Sequence, residues 1–89
     1  MALFVVTYDL IKRKDYPQLW AELERLGGAR FLASAWFVER NWSAGDLRSH
    51  LEAYIDDDDR LVVVQFHERP AWTKMLASGA QWVKVRWGI

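Results

Sequence analysis

Cysteine is absent from the 89 residues, which excludes disulfides and thiolate-held metals. A chain without disulfides fits a reducing compartment. No apolar run approaches the ~20 residues of a membrane span. The start, Met1-Ala2-Leu3-Phe4, lacks a basic leader and reads as a strand rather than a signal peptide. The expectation is a soluble cytoplasmic protein with no membrane partner. An excess of either charge is missing too, since 12 basic residues balance 12 acidic ones for a formal net charge of +0. Proteins built mainly to grip phosphates are usually clearly basic, so the balance argues against non-specific nucleic-acid binding. Repeats, linkers and low-complexity segments are also lacking, apart from the acidic run Asp56-Asp57-Asp58-Asp59.

Apolar and aromatic residues are abundant. The hydrophobic fraction is 52% and there are six tryptophans, high for a chain with room for one domain. A small domain struggles to bury that much surface alone, and the cheapest cover is a second copy. Charge is unevenly spread. Residues 56–68 carry Asp56 to Asp59 and Glu68 against Arg60 alone, whereas residues 69–89 carry Arg69, Lys74, Lys84 and Arg86 and no acid. Lys12-Arg13-Lys14 form a second basic knot.

Along the chain, residues 3–9 read as a strand apolar on both parities, with both faces covered. Asp15 offers an N-cap with Gln18 completing a capping box, and Pro17 sits in the first turn. That helix keeps Tyr16, Leu19 or Trp20, Leu23 and Leu26 on one stripe, and Gly27-Gly28 end it. Phe31-Leu32 and Trp36 to Glu39 read as two strands, with a turn or bulge at Ala33-Ser34-Ala35. Ser43 caps a second helix with Asp46 in its first turn and Leu47, Leu51, Tyr54 and Ile55 as its stripe. Asp56 to Asp59 turn the chain into a strand over 61–66, apolar on both parities. Pro70 stops it. Residues 71–77 suit two helical turns ended by Gly79. Residues 81–87 alternate, with Gln81, Val83, Val85 and Trp87 on one face and Trp82, Lys84 and Arg86 on the other.

This order predicts one ferredoxin-like α+β domain over 1–89, a βαββαβ core (1–67) with an antiparallel sheet and two helices on one face. A C-terminal extension (68–89) adds a strand that pairs with a partner. Two helices cover only one side of a sheet whose first and fourth strands are apolar on both, so the open face predicts a homodimer.

Val5-Val6-Thr7-Tyr8-Asp9-Leu10, a helix, and then Ser34-Ala35-Trp36-Phe37-Val38 resemble the small CRISPR-associated spacer-acquisition nuclease superfamily, which includes VapD-type endoribonucleases and SinR-like proteins. The likeness is closest to the SinR-like branch, in the Tyr-Asp ending, the Ser-x-Trp strand and the acidic turn before an apolar strand, and it spans roughly residues 3–66. It implies a ferredoxin-like homodimer with facing sheets. It also implies that Asp9 lies at the dimer interface, where two copies can hold a divalent metal, with Ser34 near that acid. Some members of the superfamily cut RNA or DNA and others act as structural adaptors. The neutral charge and the long tryptophan-rich tail of this chain depart from the pattern.

The residues themselves leave alternatives open. Asp9 suits magnesium or manganese held by one carboxylate from each protomer, since such ions keep several waters; otherwise it caps the next loop or pairs with Lys12 or Arg13. Ser34 can position a water or phosphate, or simply sit in a turn, and it lacks a base to act as a nucleophile. Tyr8 is either a wet interfacial hydroxyl of the same site or plain core. Lys12, Arg13 and Lys14 suit a nucleic-acid backbone or an ordinary solvated loop. Trp82, Lys84 and Arg86 on one strand face suit single-strand stacking, edge protection or pairing with a partner. Asp56 to Asp59 lack the spacing of a calcium loop. His50 and His67 lack metal-ligand partners and read as packing or surface residues. Three functions stay open: a metal-dependent endonuclease on RNA or DNA, a non-catalytic dimeric adaptor that binds a protein partner through its tail, and a nucleic-acid binder.

Overall fold

The computed structural model describes residues 1–11 and 16–88. Seven elements follow one another: β1 (Ala2–Asp9), α1 (Tyr16–Arg25), β2 (Ala29–Leu32), β3 (Ala35–Arg40), α2 (Ala44–Glu52), β4 (Arg60–Phe66) and α3 (Ala77–Trp87). The four strands form one antiparallel sheet in the order β2-β3-β1-β4. The described residues are therefore α+β with three helices, and the last element among them is a helix where a strand was expected.

The helix signals act as chemistry requires. Gly27 takes a positive φ of 77°, and the Gly28 N–H donates to the Leu23 carbonyl at 2.9 Å, closing α1 with carbonyls that would otherwise be orphaned. The Ser43 hydroxyl accepts from the Asp46 N–H at 3.0 Å and starts α2. Asp15, the expected cap of α1, lies outside the described residues.

The period of two along the strands sorts side chains between the faces. Phe4, Val6 and Tyr8 of β1 share one face with Trp36 and Val38 of β3 and with Leu61 and Val63 of β4. Leu19, Leu23 and Leu26 of the α1 stripe and Leu47 and Leu51 of α2 close over them, nearly all with no solvent contact. Burying each such side chain contributes about 1.5–3 kcal/mol, so this face holds the main core.

The opposite face carries Leu3, Val5, Phe37, Phe66 and Ala29, joined by Phe31, and α3 packs there with Trp82 and Val83. Phe37 lies between Phe31 (centroids 4.0 Å apart, 12°) and Trp82 (4.7 Å, 14°). Gly79 lets the helix reach β2, because a Cβ there would come within 2.8 Å of the Phe31 Cα and closer still to its Cβ. The Ser78 hydroxyl donates to the Arg30 carbonyl and the Leu76 N–H to the Phe31 carbonyl.

The C-terminal expectations fail here for a physical reason. Residues 81–87 alternate, yet Gly79, Trp82, Val83 and Arg86 also fall at the i, i+3, i+4, i+7 spacing of a helix face. Docking on Phe31 and Phe37 selects that second pattern over the low helix propensity of Gly79, Val83 and Val85. The two helical turns expected over 71–77 are absent, and that stretch is irregular up to Leu76, with Lys74 at a positive φ of 58°.

Helix α3 packs mainly on β2 and β3 and reaches the far edge of the sheet at Phe66, through Trp82 and Trp87. On β1 and β4, Val5 and Phe66 are half-buried, whereas Thr7, Val62 (54% exposed) and Val64 (51%) stand open. Within one chain the second face of β4 is therefore open at Val62 and Val64. No helix among the described residues is long and apolar enough to cross a membrane.

Candidate functional site

Asp9 ends β1 directly opposite Arg60, the first residue of β4. Its Oδ2 accepts from Arg60 Nη1 at 3.0 Å, and both side chains are exposed, at 66% and 73%. A shallow depression of about 170 Å³ opens beside them, lined by Thr7, Tyr8, Asp9, Arg60, Leu61 and Val62. The pair sits at one end of the open strip made by Thr7, Val62 and Val64, which half-buried Val5 borders. Strand register places it there, since residues 3, 5, 7 and 9 of β1 face residues 66, 64, 62 and 60 of β4.

Ser34 meets the end of β1 through its backbone. The Ser34 carbonyl accepts from the Tyr8 N–H at 3.2 Å and from the Thr7 hydroxyl at 3.1 Å. The Tyr8 side chain points to the other face, where it is 5% exposed. Its hydroxyl oxygen accepts from the indole N–H of Trp20 (2.7 Å) and of Trp36 (3.1 Å). Asp9, Ser34 and Tyr8 are thus neighbours in backbone, but the tyrosine hydroxyl is committed inside the core.

A divalent metal at Asp9 is poorly provided for within one chain. One carboxylate is present, a guanidinium occupies one of its oxygens, and no group of three or more His, Cys, Asp or Glu among the described residues is placed to hold an ion. A hard cation wants more oxygen ligands than that.

The tail trio is dispersed. Trp82 is buried against Phe37 at 6% exposure, Arg86 lies over the Trp82 ring at 3.8 Å and donates to Glu39 at 2.9 Å, and Lys84 is exposed on the far side of α3. The shared strand face proposed for Trp82, Lys84 and Arg86 does not exist, because a helix turns Lys84 away from the other two. Lys12, Arg13 and Lys14 lie outside the described residues. In the acidic turn, Asp59 is a tether: its carboxylate accepts from the Ile11 N–H at 2.7 Å and the Asp56 N–H at 2.9 Å.

Two clusters escaped the sequence reading. Glu22 of α1 is 4% exposed and takes a bidentate contact from Arg25 (2.7 and 2.6 Å) and one from His50 Nε2 of α2 at 2.5 Å. The Arg25 guanidinium, opposed by burial and aided by His50, holds the Glu22 carboxyl down at about 2. Trp42 and Tyr54 flank the imidazole at 5.1 and 5.8 Å. The signal was present, because Glu22 and His50 interrupt the apolar stripes 19-22-23-26 and 47-50-51-54. The second cluster is Arg30 over the Trp20 ring at 4.5 Å, for which a strand arginine gives no warning.

No protein-family model matches the chain, and no solved structure matches it.

Proposed function

We propose that the chain is a homodimeric interaction module on the ferredoxin-like plan, within the CRISPR-associated nuclease-like superfamily that its motifs resemble. The order β2-β3-β1-β4, with β1 and β3 central and α1 and α2 packed on one face, supports the split βαβ plan. The reading rests on one observation, the apolar strip on β1 and β4 that α3 leaves open. Its proposed occupant is a second copy. The chain has a formal net charge of +0, so two copies do not repel as a whole. The strip ends in an acid and a base side by side, so a two-fold contact can set Asp9 against the partner's Arg60 and Arg60 against the partner's Asp9. The tryptophan-rich tail supports an internal clamp better than a site for a protein partner, since Trp82 is buried and Trp87 stacks on Phe66. Sedimentation equilibrium tests the dimer: the native chain is expected to be dimeric and Val64→Lys monomeric but folded. A native chain that stays monomeric at high concentration sinks the reading.

One observation favours a second reading, a metal-dependent endonuclease on RNA or DNA. Asp9 is accessible beside the proposed contact, and a two-fold axis passing near it would bring two carboxylates together for magnesium or manganese. Calorimetric titration with manganese separates the readings. One ion per dimer, lost in Asp9→Asn, supports the nuclease; no heat in either protein leaves the interaction module.

A further inference from the structure

The groove beside Trp20 and Arg30 belongs to neither the open strip nor the Asp9 pair. Tyr16, Pro17, Trp20, Arg30, Ala33 and Ser34 line an open depression of about 410 Å³ there. That is within the usual range for small-molecule sites. Its wall is a fixed stack. The Arg30 Nε–H and Nη2–H both donate to the Ala33 carbonyl, at 3.1 and 2.6 Å, which locks the guanidinium plane over Trp20. The Trp20 ring is locked in turn by its N–H bond to Tyr8, and Tyr16 leans against it at 5.5 Å. A second cleft of about 250 Å³ shares Trp20 and Arg30 on the stack's other flank and carries Ser78 and Glu24.

The charge of Arg30, held against the Trp20 ring, gives the groove its chemistry. Among the described residues no carboxylate forms an ion pair with it, as with Arg40 and Arg69, whereas Arg25, Arg48, Arg60 and Arg86 each have one. A half-buried guanidinium bound only to one carbonyl keeps further N–H donors for an anion. Glu24 lines the second cleft but not the first. A rigid aromatic and guanidinium wall beside an unneutralised cation suits a ligand that is planar at one end and anionic at the other. An uncharged apolar ligand would leave the cation without a counter-ion.

We propose that this groove binds a phosphorylated nucleoside, with the base against the wall formed by Tyr16, Trp20 and Arg30 and the phosphate on the remaining guanidinium donors. Free nucleotides and unpaired nucleotides of a single strand share this chemistry. One such contact needs no basic surface, in keeping with the neutral chain.

The test is a titration of the full chain followed by calorimetry and by the Trp20 indole N–H signal in NMR. The probes are adenosine 5′-monophosphate, adenosine, inorganic phosphate and a single-stranded hexa-adenylate. Adenosine monophosphate is expected to bind and shift the Trp20 signal, with adenosine and phosphate each roughly tenfold weaker, the scale of one lost charge-assisted contact. Arg30→Gln should weaken binding by a similar factor while its circular dichroism spectrum stays native, and Arg30→Lys, which keeps the charge without the plane, should fall between. Hexa-adenylate binding far more tightly than the mononucleotide would name a strand as the ligand, and equal binding would name the free nucleotide. The proposal is overturned if neither the mononucleotide nor the hexamer binds. It is equally overturned if Arg30→Gln binds as well as the native chain, or if phosphate alone binds as tightly as the nucleotide.

Discussion

Both faces of the sheet are made by alternate residues of the same strands, yet they are finished in opposite ways. Under α1 and α2, Phe4, Val6, Leu19, Leu23, Leu47 and Leu51 form a broad core without solvent contact, aliphatic on the helix side. Under α3 the cover is aromatic, narrow and held by few fittings: a glycine pressed on Phe31, a stack around Phe37, and the Arg86 pair with Glu39. The first face is redundant, so losing one side chain leaves many contacts. The second depends on single points of fit, and beyond them it stops, leaving Val62 and Val64 in the open. The difference separates what makes the fold from what the fold can offer to another molecule.

The comparison can be broken first at its deepest point. Phe4→Ala is expected to cost about 3–5 kcal/mol by emptying the centre of the core under α1 and α2, read as a lowered urea midpoint. Next, Gly79→Ala should cost about 1–3 kcal/mol because the new methyl meets backbone and cannot be accommodated by a rotamer change. It should also detach α3, so that Trp82 fluorescence shifts to the red before the sheet unfolds. A single shared transition would show the two faces to be one cooperative unit.

Acid sharpens the contrast within the first face. The Glu22 carboxyl is held below its ordinary 4.5, at about 2. Its contribution is therefore complete above pH 4.5 and is lost as pH falls toward 2. Glu22→Gln is expected to lower stability at neutral pH by about 1–3 kcal/mol and to flatten the fall of stability between those two pH values. An unchanged acid limb in thermal melts would show that other carboxylates set it. The smallest effect belongs to the open strip. Asp9→Asn should change monomer stability by no more than about 0.2–1 kcal/mol, the worth of an exposed ion pair, and a larger loss by chemical denaturation would mean that the pair is structural.

Much of this fold was legible because its signals are local. Gly27 can take a positive φ, the Ser43 hydroxyl reaches the Asp46 N–H, and the run Leu61 to Phe66 has room for a strand and little else. The tail was misread because Gly79, Trp82, Val83, Val85 and Arg86 satisfy two periods at once, and the choice is made by Phe31 and Phe37, some fifty residues earlier in the chain. Of the candidate site, the position of Asp9 at the end of β1 was readable. Its partner Arg60 was not, because strand register is a long-range property. Glu22 and His50 were legible as polar breaks in apolar stripes, but their meeting depends on how α1 packs against α2.

Tyr8 remains, with one oxygen that accepts from two indoles. That atom joins β1 to α1 through Trp20 and to β3 through Trp36. Among the six tryptophans, these two indole protons should exchange with deuterated solvent slowly and together, because a single opening event exposes both. Such paired exchange would follow the loosening of the core under α1 and α2 in real time, without a mutation or an added dye.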